Sequence, residues 1–162
     1  MGLDMYLYRH QYVSGYEYQR RDEKNQAEVN LFDNLINVLG FTPAAHSPHM
    51  TFDVCVAYWR KANAVHAWFC ALDGGRDECQ KIPVSVEQLR ELRNLCDSVL
   101  LQPAMAQDIL PPQAGFFFGS YEIDEWYMED MRNTITQIDN VLKDIPIDAS
   151  PWDYQFTYQA SW

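Results

Sequence analysis

The sequence predicts an α+β domain, with helices on one face of a mostly antiparallel or mixed sheet, and three observations predict it. Residues 5–8, 52–58 and 152–160 concentrate or alternate strand-forming side chains. Residues 27–39, 60–71, 86–99 and 124–143 instead repeat apolar side chains at spacings of three and four, the period of a helix. Glycines and prolines punctuate these segments without a repeat or a linker, so residues 1–162 read as a single domain.

Each element follows from its residues. Met5, Tyr6, Leu7 and Tyr8 open the first strand, which Tyr12 and Val13 can extend. The polar run 19–26 reads as a loop or a solvated helix start. Val29, Phe32, Leu35, Ile36 and Leu39 then mark a helix, and Gly40 stands where a left-handed residue ends one. Pro43 and Pro48 exclude regular structure before the next strand. There Phe52, Val54, Val56 and Tyr58 alternate with Asp53, Cys55 and Ala57, and the scarcity of charge predicts an interior position. The period changes at Trp59-Arg60, which places a helix over 60–71, stopped by Gly74-Gly75. Ile82-Pro83-Val84 is a short extended piece, and Pro83 suits an edge or an entry position.

The second half is equally patterned. Ser85 and Gln88 form a capping box, with Val84 and Leu89 at the staple positions. Leu89, Leu92, Leu95, Cys96 and Val99 continue that helix as one stripe. After Pro111-Pro112, the stretch from Gly115 to Ser120 reads as a short strand. Tyr127, Met131, Ile135, Ile138 and Leu142 predict a long helix over 124–143, with Asp124, Glu125, Glu129 and Asp130 near its start, where the helix dipole favours anions. Trp152, Tyr154, Phe156, Tyr158 and Ala160 form a last strand, expected beside the first.

Charge narrows the partners. Lys plus Arg total 12 against 23 Asp plus Glu, a formal net charge of −11. Nucleic acid and anionic membranes repel such a chain, so direct contact with either is not expected; a basic protein partner is, and solubility is the plainer use of the charge. The aromatic content of 14% adds adhesive surface. Cys55, Cys70, Cys79 and Cys96 show neither a CxxC nor a zinc-finger spacing and read as reduced, structural residues. No signal peptide, myristoylation pattern or membrane-length apolar stretch is visible, and the cytoplasm is the expected location.

The densest mixture of aromatic and hydrogen-bonding side chains is the stretch 58–69. A strand handing over to a helix there would present free amides and partial positive charge to a phosphate or carboxylate. In that site Trp59 stacks, Arg60 and Lys61 supply charge, and Asn63 and His66 orient the ligand. Asn63, His66 and Cys70 share one helical face. The structural alternative pairs Arg60 with Asp124, Glu125 or Glu129, and makes His66, Trp59 and Trp68 core residues. A second constellation, Glu122, Asp124, Glu125 and Trp126, is the candidate partner-binding surface; its carboxylates suit acid–base work or a divalent ion, and equally a helix start.

Other motifs are weaker. Gly115 to Gly119 lacks the lysine and spacing of a phosphate loop, and Gly119-Ser120-Tyr121 is not a nucleophile elbow. His46 and His49 stand three apart without a third ligand nearby, and Asp73, Asp77 and Cys79 read as turn residues. No catalytic residue, metal ligand set or cofactor is expected, and the chain leans away from enzymatic function.

The opening Met1-Gly2-Leu3-Asp4-Met5-Tyr6-Leu7, the central Tyr58-Trp59-Arg60-Lys61-Ala62-Asn63-Ala64-Val65-His66-Ala67-Trp68-Phe69, and Gly115-Phe116-Phe117-Phe118-Gly119-Ser120 running into Asp124-Glu125-Trp126-Tyr127 resemble a family of small phage, prophage and bacterial proteins. The sequence departs from that pattern at Val65, where isoleucine is usual, and at Gln113-Ala114, where a serine often stands. The resemblance covers about a quarter of the chain. It implies a phage or mobile-element context and brings no activity or active residues with it. The expected function is a non-enzymatic accessory protein acting by binding, with a host protein as partner, for example a nucleic-acid-binding or defence component. The alternative is a module that binds or processes a nucleotide or other small anion through Trp59, Arg60, Lys61, Asn63 and His66.

Overall fold

The computed structural model describes residues 2–16, 18–115, 119–149 and 153–162. The chain is α+β, as its patterning predicts. Four strands, β1 (Asp4–Ser14), β2 (His49–Arg60), β3 (Ile82–Val84) and β4 (Gln155–Ser161), form one antiparallel sheet in the order β2-β1-β4-β3. First and last strands are neighbours, as expected. Among the described residues five helices accompany the sheet: α1 (Gln26–Leu39), α2 (Asn63–Ala71), α3 (Val86–Leu101), α4 (Ala106–Ile109) and α5 (Glu125–Leu142). The polar run 19–26 folds as two short 3-10 turns leading into α1. The strand expected over 115–120 crosses residues outside those described; Gly115, Gly119 and Ser120 themselves are not in a strand.

Residues 1–9 and 54–162 form one compact unit and residues 10–53 a second. In the first, alternation puts Leu3, Met5 and Leu7, Ala57 and Trp59, Ile82 and Val84, and Phe156, Tyr158 and Ala160 on the buried side of the sheet. Leu89, Leu92, Met131 and Ile138 complete that core from α3 and α5, which pack on each other. The local signals explain why these helices start where they do. Ser85 accepts from the amide of Gln88 at 3.1 Å while Gln88 accepts from that of Ser85 at 2.8 Å, a reciprocal cap. Val84 and Leu89 are both buried beside it. At α5, Asp124 caps the amide of Tyr127 at 3.0 Å.

β2 departs from expectation twice. It is an edge strand, not an interior one. Its buried residues are Ala57 and Trp59, whereas Val54 and Tyr58 are exposed. The bulkiest side chain sets the inward face: Trp59 packs on Phe69 with ring centroids 5.8 Å apart and donates its indole N–H to Thr134 at 3.0 Å. The outward Tyr58 lies against Tyr6 and gives its hydroxyl hydrogen bond to Asp4.

The second unit is organised on Phe32. The α1 ring sits against Gly15, where any added Cβ would lie 2.4 Å from it. Arg20 holds Asp33 through two bonds of 2.7 Å, and the amide of Ser14 donates to Glu28 at 2.7 Å. Gly40, at φ 69°, ends α1 in the left-handed conformation its position predicts.

Candidate functional site

The helix begins three residues later than its sequence period suggests. β2 runs through Arg60, Lys61 turns the chain, and α2 begins at Asn63. Lys61 takes a left-handed φ of 60°, its amide bonds Leu3 at 2.8 Å, and its carbonyl accepts from the amide of Asn63 at 2.8 Å. Gly2 and Gly119 flank its side chain: a Cβ at Gly2 would come within 3.2 Å of the lysine stem, whereas Gly119 leaves room for one at 3.6 Å. Gly119 instead takes a φ of 88°, a conformation that favours glycine.

This turn forms one wall of a cleft of about 510 Å³ lined by Arg60, Lys61, Asn63, Gly119, Ser120, Glu122, Asp124, Trp126, Tyr127, Glu129 and Asp130. The two constellations, some sixty residues apart in sequence, therefore meet. Asn63 helps join them by donating to the carbonyl of Ser120 at 2.7 Å. Ser120 in turn accepts from the amide of Glu122 at 3.1 Å. Trp126 stands at the cleft with 79% of its surface exposed.

Charge in the cleft is uneven. Arg60 and Lys61 face Glu122, Asp124, Glu129 and Asp130. Among the described residues no carboxylate lies within 4.0 Å of Arg60 or Lys61, so the pairing of Arg60 with Asp124, Glu125 or Glu129 is not formed. Glu129 and Glu125 instead share Arg132, at 3.0 and 2.8 Å. Burial, reinforced by Asp124 and Glu129, pushes the carboxyl of Asp130 up to about 6. Glu129 is thus matched by Arg132, and the other lining carboxylates, Glu122, Asp124 and Asp130, stand against the two cations Arg60 and Lys61.

Several candidate residues lie elsewhere. Trp59 is a core side chain, and its indole is unavailable for stacking on a ligand. Glu125 is exposed beside Arg132 and does not line the cleft. His66 is buried and also absent from it. Its Nδ1 lies 2.6 Å from the Tyr158 hydroxyl, and its Nε2 lies 3.0 Å from Oδ1 of Asp77 and 3.6 Å from Sγ of Cys70. Burial, with Asp77 and Asp73 adding to it, pushes the Cys70 thiol up to about 12, so by itself it is a neutral thiol and a poor nucleophile.

Sequence reasoning missed Asp77 as a partner of His66. His66 and Cys70 were legible as one helical face, but Asp77 follows the Gly74-Gly75 turn, and only that turn's path returns it to the helix. The signal available was the spacing His-x3-Cys-x6-Asp across a glycine pair. Among the described residues no helix is long and apolar enough to cross a membrane. Comparison with known proteins finds no match: no family model, no curated protein and no solved structure is similar enough to lend this chain a family or an activity.

Proposed function

We propose that the protein acts by binding, without catalysis, and that the cleft between the Lys61 turn and the start of α5 receives a basic segment of a partner protein. The observation that supports this most is the exposed Trp126 among Glu122, Asp124 and Asp130. An exposed indole offers stacking and cation–π contact to an arginine, and surrounding carboxylates select for it. The net charge of −11 extends the same preference over the whole molecule and accelerates encounter with a basic partner. Together with the phage-like wording of the sequence motifs, this supports an accessory protein directed at a host nucleic-acid-binding or defence protein. The protein's acidic face would then compete with the nucleic acid.

The test is affinity capture from host lysate with the wild type and with Glu122→Lys and Trp126→Ala together, positions that do not cap a helix. The wild type should retain a basic nucleic-acid-binding protein, release it as salt rises, and block its binding to nucleic acid. The double variant should lose all three. Equal recovery by both, or a captured protein whose nucleic-acid binding is unaffected, rejects the reading.

One observation favours a second reading, a small anion held by Arg60 and Lys61 with Asn63 beside them: neither cation has a carboxylate within 4.0 Å among the described residues. A ligand bound only by the folded state must raise the melting temperature. A panel of nucleotides and inorganic phosphate that produces no shift removes this alternative.

A further inference from the structure

His66, Cys70 and Asp77 bring an imidazole nitrogen, a thiol sulfur and a carboxylate oxygen within 4.8 Å of one another, away from the cleft. Two of the groups, one turn apart on α2, are buried. The third arrives from the loop that follows α2. Three features distinguish this cluster from a nucleophile relay. Such a relay places its acid and its nucleophile on opposite imidazole nitrogens. Here Asp77 and Cys70 both approach Nε2, at 3.0 and 3.6 Å, and Tyr158 holds Nδ1 at 2.6 Å. Second, Oδ1 of Asp77 exposes less than 1 Å² yet accepts no hydrogen bond, although Nε2 of His66 lies 3.0 Å away. Buried carboxylate oxygens are normally satisfied, and an atom left over in this way points to a missing partner. Third, the separations lie close to those of coordination: Oδ1 and Sγ stand 3.0 and 3.6 Å from Nε2 and all three atoms within 4.8 Å of one another, where bonds of about 2.0–2.3 Å to a tetrahedral zinc ion put neighbouring donors roughly 3.3–3.6 Å apart.

We propose that His66 Nε2, Cys70 Sγ and Asp77 Oδ1 are three ligands of a structural site for a divalent ion of the zinc class, which pins the loop of residues 72–81 onto α2. The donor set suits a borderline-soft ion that accepts nitrogen, sulfur and oxygen together, and disfavours magnesium and calcium, which take oxygen. Tyr158 supplies the outer contact that fixes a ligating imidazole, because a hydroxyl accepting from Nδ1–H leaves the Nε2 lone pair directed at the ion. On binding, the thiol gives its proton to solvent and the resulting thiolate donates to the ion; nothing is oxidised or reduced.

The experiment titrates chelator-treated protein with zinc chloride in competition with a chromophoric chelator, and repeats it with cobalt(II) as an optical probe. The wild type should bind one ion per chain, gain thermal stability with zinc, and show the thiolate-to-cobalt charge-transfer band. Cys70→Ser should abolish that band, and Asp77→Asn should weaken zinc more than about tenfold. Cys55→Ser, at an exposed thiol, should change neither. Asp77→Asn changes one oxygen on a half-buried loop residue, so folding checked by circular dichroism keeps the test decisive even if Cys70→Ser is insoluble. Absence of zinc binding in the wild type, binding unchanged by Asp77→Asn, or a band that follows Cys55 would each overturn the site. No residue here is shared with the cleft, so partner capture and metal binding stand or fall separately.

Discussion

Thr134 occupies a buried position on α5, where its hydroxyl accepts from Trp59 at 3.0 Å and donates to the carbonyl of Asp130 at 2.7 Å. Replacing it with valine keeps the shape and strands the indole N–H in the core. Thr134→Val should lower stability by about 1–3 kcal/mol in urea denaturation, the cost of one unsatisfied buried donor. Asp130 makes a prediction in the pH domain. Its folded pKa of about 6 lies above the ordinary carboxylate value of 3.8, so between those values the folded state holds a proton that the unfolded state has released. Stability therefore falls as pH rises through that window, and Asp130→Asn should flatten the fall and add about 1–2 kcal/mol at pH 7, read from denaturation curves at pH 4, 6 and 7. Loss of the Asp130 charge below pH 6 should also weaken capture of a basic partner.

Among the elements, α3 carries the most complete start signal, and its cap is directly testable. Ser85→Ala removes the hydroxyl that accepts from the Gln88 amide and leaves the reciprocal backbone bond in place, and should lower the urea-unfolding free energy by about 1 kcal/mol. In the unit of residues 10–53, Gly15→Ala forces a methyl against the enclosed Phe32 ring. Overpacking of this kind costs about 1–3 kcal/mol. The loss should appear as faster amide exchange in residues 10–53. These elements also show where sequence is informative. Helices α1, α3 and α5 each pair an apolar stripe with a terminus signal (Gly40, the Ser85 box or Asp124), so their bounds were legible to within a residue or two. β2 was not, because period two reports that faces alternate but not which face is inward. That choice was made by Trp59, whose indole needed the Thr134 hydroxyl on a helix seventy-five residues away. The short α4 has too few residues to show a period at all.

Over the whole molecule the excess of carboxylates repels itself, and screening should relieve that repulsion. The Debye length falls from about 30 Å at 0.01 M salt to about 10 Å at 0.1 M, so the melting temperature should rise over this range of sodium chloride. A melting temperature that falls instead would mean that ion pairs such as Arg93–Asp139 and Arg132–Glu125 outweigh the net charge. The cleft was half legible on the same scale. Its two walls, Arg60-Lys61-Asn63 and Glu122-Asp124-Trp126, stood out by composition. Their meeting depended on Lys61 turning left-handed and on Asn63 reaching Ser120, neither of which leaves a periodic trace.

The strand order has a kinetic corollary. β4, the last strand among the described residues, lies between β1, the first of them, and β3. During synthesis the α1–β2 region and the α3–α5 pair can gather locally, but β1 and β3 must wait without their common neighbour until residues 155–161 leave the ribosome. Pairings between such distant segments carry the largest loop-closure cost, and they slow folding. For that interval the β1 edge carrying Met5 and Leu7 is bare, a template for another nascent chain. This is the stage at which aggregation competes most directly with folding.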